Sequence, residues 1–206
     1  FSNTLKLTNI GEATVAARIK NLLDLKNPTI APYASLEEVK LRITTKAKNL
    51  SEAKLLIKPI KEELYETFST YIFGEDNENL PTILIKELIK RNESVVFAES
   101  CTGGLLSSKI TSISGSSKIF KGSVIAYSNE LKNLLLNVPK ELLNIYGAVS
   151  EEVAEAMAIG AKKKLNSDWA ISVSGIAGPN GGSQSKPIGL VYIAITGPNN
   201  ETVTIK

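Results

Sequence analysis

Ser94-Val95-Val96-Phe97-Ala98-Glu99-Ser100-Cys101-Thr102-Gly103-Gly104-Leu105 decides the fold of most of this chain. Its front, Ser94 to Ala98, is a short apolar run that reads as a buried strand, and from Gly104 to Ile113 the apolar spacing is helical. A strand that turns through serines and glycines straight into a helix opens an α/β unit. The same alternation continues downstream. Ser123 to Tyr127 predicts a strand and Asn129 to Leu136 a helix. Glu151 to Leu165 predicts a longer helix with Ser150 as its cap, and Trp169 to Val173 and Leu190 to Ile195 complete the strands. Ahead of the quoted stretch, Leu80 to Lys90 predicts a helix with Pro81 in its first turn. Strands alternating with helices argue for an α/β/α layered domain with a largely parallel sheet over residues 75–206.

The upstream residues have another rhythm. Val15, Ile19, Leu22 and Leu23 give Glu12 to Leu25 the face of an amphipathic helix, which Asn27-Pro28 then breaks. Val39, Leu41 and Ile43 alternate with Lys40, Arg42 and Thr44, as in a half-buried strand. Ser51 to Tyr65 predicts a second helix, with Ser51 as its cap and Pro59 as a kink. The acidic, polar stretch from Gly74 to Asn79 marks the boundary. Residues 1–74 are thus expected to form a small α+β domain, near the lower size limit for folding alone.

Composition narrows the chemistry. Among 206 residues there is no histidine, which excludes a Ser-His-Asp triad, a Cys-His pair and any His-ligated metal site. The single cysteine, Cys101, excludes an intrachain disulfide and a CxxC motif, and fits a reducing, cytoplasmic setting. No apolar run approaches the roughly 20 residues of a membrane-spanning helix. The net charge of +3 belongs to residues 1–74, with 11 basic against 8 acidic side chains; residues 75–206 carry 13 of each. That surplus, without a clustered basic stripe, does not point to nucleic acid. The chain opens on Phe1 rather than Met and reads as a piece of a longer protein.

Three loops follow three of the expected strands, and ligands of open α/β sheets bind beyond the carboxyl ends of the strands. In the first, Ser100 stands where a nucleophile at a strand-to-helix turn stands. Thr102, Gly103 and Gly104 offer main-chain N–H groups to a phosphate or an oxyanion. A Ser-rich turn of this kind also serves simply as a helix cap. In the second, Tyr127 closes a strand and Lys132 falls one turn into the next helix. Burial and the helix start both lower a lysine's pKa there, as a base toward serine requires, whereas an arbitrary lysine on a helix face is simply solvated. The third loop runs from Ser174 through Gly175, Ile176, Ala177, Gly178, Pro179 and Asn180 to Gly181 and Gly182, bare enough to wrap a flat or phosphorylated ligand. Either glycine-rich loop suits the phosphate. Cys101 ranks below Ser100 as a nucleophile, because it has no imidazole to pair with.

Several of these segments recur in order in one family. Ala98 to Gly104, Phe120-Lys121-Gly122, Val124 to Asn129, Gly147 to Ser150 and Ser174 to Pro179 resemble the C-terminal domain of the CinA family. Gly11-Glu12, Asn27-Pro28-Thr29, Ala31 to Ala34 and Val39 to Thr44 are similar to that family's middle, KH-type domain. The resemblance covers essentially the whole chain. It implies a competence/damage-inducible type of protein with nicotinamide-nucleotide amidase activity, which in pyridine-nucleotide salvage hydrolyses nicotinamide mononucleotide to nicotinate mononucleotide and ammonia. It places the family's catalytic serine, tyrosine and lysine on Ser100, Tyr127 and Lys132. Gly175, Ala177, Gly178 and Gly182 join Thr102, Gly103 and Gly104 as expected substrate-binding positions. The implied partner is a small-molecule nucleotide, with no metal and no cofactor; self-association is left open. Two departures stand out: nothing matches the family's N-terminal domain, and the last basic strand and helix of the C-terminal domain are missing. A nucleotide-binding regulator without hydrolysis is the alternative. Nucleic-acid binding through residues 1–74 is disfavoured, because no GxxG loop of the KH kind is present.

Overall fold

The computed structural model describes residues 1–35 and 38–206, which form two units, Phe1–Ile83 and Leu84–Lys206. In the first, β1 (Ser2–Leu7), β2 (Thr29–Ala34), β3 (Val39–Thr44) and β4 (Ile72–Glu75) make an antiparallel sheet in the order β2-β3-β1-β4. The helix expected over Glu12 to Leu25 is two short ones, α1 (Glu12–Arg18) and α2 (Lys20–Leu23), divided at Ile19, whose φ of −109° leaves the helical range. The second expected helix, α3, runs Leu50–Phe68 and keeps Pro59 inside it. Its cap is Asn49, two residues before the expected Ser51; the Asn49 side chain accepts a hydrogen bond from the Glu52 N–H. Leu5, Leu7, Val15, Ile19, Leu41, Ile43, Leu64 and Phe68 are buried together as this unit's core. The polar stretch from Gly74 is not a bare connection, since Gly74 and Glu75 finish β4 against β1.

The second unit is an α/β layer. After α4 (Leu80–Arg91) come β5 (Val95–Glu99), α5 (Leu105–Thr111), β6 (Phe120–Ile125), α6 (Asn129–Leu136), α7 (Lys140–Tyr146), α8 (Glu151–Leu165), β7 (Trp169–Gly175), β8 (Val191–Thr196) and β9 (Thr202–Ile205). The strand order is β6-β5-β7-β8-β9. As expected, β5 lies parallel to β6 and to β7, but the sheet is mixed: β8 runs antiparallel to β7, and β9 to β8. The cause is the connection. A parallel neighbour needs a crossover, usually a helix, whereas residues 176–190 form a helix-free loop that returns beside β7.

Alternation along β5 builds the layers. Val95 and Phe97 face a cluster with Ile85, Leu88 and Ile110 of α4 and α5, while Val96 and Ala98 face Leu136, Ala154, Met157, Ala158 and Ala161 of α6 and α8. Small side chains let α8 lie close to its neighbours. At Gly160 the approach is backbone to backbone, and a Cβ there would sit 1.9 Å from the carbonyl oxygen of Leu136, the last residue of α6. None of the described helices is long and apolar enough to cross a membrane.

Candidate active site

The parallel strands deliver their loops to one edge. Glu99 at the end of β5 is level with Ile125 of β6 and Val173 of β7. Ser100 follows at once, its N–H donating to Val173 O at 3.0 Å, so the turn is pinned to the neighbouring strand as it leaves the sheet. Only 7% of Ser100 is exposed. Lys132 arrives from the other side, in the first turn of α6, where the Ser128 hydroxyl caps the helix by accepting from the Leu131 N–H.

Lys132 is 1% exposed, and its Nζ lies 3.0 Å from Ser100 Oγ, from Ala126 O and from Tyr127 O. Burial pulls its pKa below the ordinary lysine value, and only an ionised Cys101 would oppose it, in smaller part. The contacts serve both charge states. As an ammonium the group donates three hydrogen bonds. As an amine it keeps the two to the carbonyls and presents its lone pair to the Ser100 hydroxyl. A proton passing between oxygen and nitrogen therefore requires no rearrangement around the nitrogen. The separation is within hydrogen-bond reach of a general base.

Tyr127 meets this pair through its main chain. Its carbonyl holds Lys132, while its side chain is largely in water, with 73% of the residue exposed, and the phenol forms no hydrogen bond with Ser100 or Lys132. Cys101 packs against Gly175: a Cβ on that glycine would lie 3.1 Å from the cysteine sulfur and 2.8 Å from Leu190 O. Burial raises the Cys101 pKa above its usual value, so the group is a neutral thiol near pH 7.

The start of α5 differs from the expectation of three free N–H groups at Thr102, Gly103 and Gly104. Gly103 N–H donates to Ser100 O, and Gly104 N–H to the Glu99 carboxylate. Both glycines take positive φ, 59° and 105°, which is why the turn needs them. The N–H groups of Cys101 and Thr102, next along the chain from Ser100, are not among those taken by Ser100 O or the Glu99 carboxylate. The Thr102 hydroxyl is buried on the side of the Glu99 carboxylate.

The third loop closes mostly on itself. Ile176 N–H donates to Leu190 O and Gly189 N–H to Ile176 O, and Gly178 and Gly182 pack against Ile188. Ala177 and Gly182 are exposed. Lys186 Nζ reaches the carbonyls of Tyr146 and Val149, and Ser174 Oγ donates to Ala148 O, so the loop is tethered to the turn between α7 and α8. The structure thus brings Ser100, Lys132, Cys101 and Gly175 together, while Ala177, Gly178 and Gly182 lie along a loop that opens outward. An apolar groove of about 300 Å³ against Leu84, Leu88, Trp169 and Ile195 is lined by none of these residues.

Residue reading left three participants unassigned: Glu99, the Ala126 carbonyl and Lys186. Glu99 carried a signal, for it shares the inward parity of Val95 and Phe97 in an otherwise apolar strand, and a carboxylate at such a position is rare unless it is held.

The Damage-inducible protein CinA KH domain matches residues 2–74 and the CinA C-terminal domain matches residues 77–206. A CinA-like protein of Prochlorococcus marinus strain MIT 9301 is 69% identical over all 206 residues, which make up 49% of that relative. A second, from strain NATL1A, is 54% identical over 197 residues, covering 96% of this chain and 46% of the relative. The chain spans about half the length of the curated relatives it matches. Among solved structures, the competence/damage inducible protein CihA from Agrobacterium tumefaciens is 39% identical, with a TM-score of 0.60 over 61% of this chain and 76% of that one. The CinA superfamily protein ECK1530/EC0983 from Escherichia coli is 34% identical, with a TM-score of 0.59 over 62% and 74%.

Proposed function

The chain belongs to the CinA family, and from that premise we propose that it is a serine amidohydrolase that converts nicotinamide mononucleotide to nicotinate mononucleotide and ammonia. The observation that carries the reading is the 3.0 Å approach of a buried lysine amine to a serine hydroxyl in a chain without histidine. Lys132 as amine takes the Ser100 proton while Oγ bonds to the carboxamide carbon. The N–H groups of Cys101 and Thr102 receive the negative charge that develops on the carbonyl oxygen. The C–N bond then breaks, and ammonia leaves with the proton that Lys132 holds. Water attacks the acyl-serine, Lys132 takes its proton, and the carboxylate is released with Ser100 restored. Tyr127 contributes its carbonyl to the base, and its exposed ring is free to meet the pyridine. The small-molecule partner is thus a nucleotide, and the outward glycine loop is where its ribose-phosphate lies.

Ser100→Ala and Lys132→Met are each expected to abolish ammonia release from nicotinamide mononucleotide. Turnover retained in either removes that residue from the chemistry. Calorimetric binding of the nucleotide by the unaltered protein, with no ammonia over hours, replaces the amidase with a nucleotide-binding regulator.

A further inference from the structure

A second buried charge lies one residue from the nucleophile. Glu99 is 0% exposed. Its carboxylate accepts from the N–H groups of Gly104 and Leu106, each at 3.0 Å, from Ser107 N–H at 2.9 Å and from the Ser107 hydroxyl at 2.6 Å. All four donors are neutral. Burial by itself would raise the Glu99 pKa; the hydroxyls of Ser107 and Thr102 and the main-chain N–H groups outweigh it and hold the group below the ordinary glutamate value, hence ionised.

Helix capping alone does not explain this group. The same fold caps α6 with Ser128 and α8 with Ser150, neutral side chains that each accept one N–H. Withdrawing a carboxylate from water with only neutral partners is unfavourable. What the charge adds is stiffness. Gly103 and Gly104 leave the turn after Ser100 conformationally free, and hydrogen bonds to an ionised acceptor are roughly twice as strong as neutral ones. Four of them converge on one carboxylate across that turn. The main chain of the same residue reaches the base, because Glu99 O accepts from Ala126 N–H at 2.9 Å, and the Ala126 and Tyr127 carbonyls hold Lys132. Glu99 is therefore joined to Ser100 by a peptide bond, to α5 by its side chain and to the lysine's cradle by its carbonyl.

We infer that Glu99 is a positioning residue whose negative charge fixes the Ser100 hydroxyl against the Lys132 amine. The inference rests on the serine–lysine reading but not on the identity of the amide that is cleaved. Glu99→Gln preserves shape and places an NH₂ donor among converging donors. The readouts are the rate at which a fluorophosphonate labels Ser100, located by mass spectrometry, the kcat and KM for nicotinamide mononucleotide, and the melting temperature. Labelling and kcat should fall about 10²-fold with KM nearly unchanged, the loss expected when a reacting group is misplaced by about an ångström. Ser107→Ala keeps the carboxylate and its three N–H bonds, and should slow labelling roughly tenfold, the worth of one hydrogen bond to a charged group. This milder variant decides the matter if Glu99→Gln does not fold. Labelling at the unaltered rate in the folded variants, with only the melting temperature lowered, makes Glu99 a cap and overturns the inference. Unaltered protein that takes no label at Ser100 removes both readings. Labelled protein that releases no ammonia removes the substrate alone and leaves Glu99 in place.

Discussion

The two units of the chain treat charge in opposite ways. In residues 1–83, charged side chains meet opposite charges: Lys61 reaches Glu75 at 2.6 Å, Lys40 reaches Glu38 at 3.0 Å, Lys58 reaches Glu62 at 3.8 Å in water, and even the buried Lys6 reaches Glu38 at 3.8 Å. In residues 84–206, Glu99 and Lys132 are withdrawn from water and held by main-chain groups and hydroxyls. A charge beside its opposite keeps its state over a wide pH range, while a buried amine among neutral acceptors can change state. One region pairs its charges, and the other holds its buried amine and carboxylate on neutral partners.

The largest test of that contrast is at the amine itself. Lys132→Met and Ser100→Ala should each reduce ammonia release more than about 10⁴-fold, and the double variant should be hardly worse than either, because the two groups act as one unit. Additive losses in a steady-state assay would mean separate roles. Next comes the packing behind the amine. Gly160→Ala forces a methyl onto the Leu136 carbonyl, and urea unfolding should show a loss on the order of 3 kcal/mol, the upper range for overpacking. No loss would mean that α6 can slide away freely.

Acidity gives a finer test. The rate requires the amine, so kcat/KM should fall about tenfold per pH unit below the lowered pKa of Lys132. The midpoint should lie below the ordinary lysine value of about 10.4; a midpoint at that value would describe a hydrated ammonium. The smallest effect belongs to the first unit. Burial would raise the pKa of Glu75, but bonds from Lys61, Tyr65 and Asn3 lower it beneath 4.5. Its contribution is therefore present above pH 4.5 and fades as pH falls through the lowered value. Tyr65 is pushed up to about 12 by partial burial and by Glu75, so its contribution is full below pH 10 and fades as pH rises toward 12. Glu75→Gln should narrow this plateau in thermal melts at several pH values, by no more than about 1 kcal/mol, and leave ammonia release untouched.

The serine–lysine pair was legible in two steps: no imidazole exists and Ser100 follows an apolar strand directly, while Lys132, one turn into the next helix, was singled out among the lysines by the resemblance to the CinA family. The parallel trio β5, β6 and β7 was legible from apolar runs separated by helical spacing. What escaped had physical reasons. β2 contains Pro32, which argues against a strand, yet β2 lies at a sheet edge, where a missing N–H donor is tolerated. β1 mixes Asn3, Thr4 and Lys6 with its apolar residues, and α7 and β9 are short elements set close behind Pro139 and Pro198. Reversal of β8 was hidden in a glycine loop whose length suits several paths. The state of the helix start was hidden as well, since nothing in the spacing of Glu99 and Gly104 reveals that a carboxylate has already taken the N–H groups a ligand would use.

Gly160 touches neither serine nor amine, yet it sets how closely α8 lies on the last turn of the helix that carries the amine. Because α8 meets α6 with no side chain between them, the seat of the helix that carries Lys132 is set by one backbone resting on another. Thickening that seam by one carbon would press on this helix from behind without altering any atom of Ser100 or Lys132.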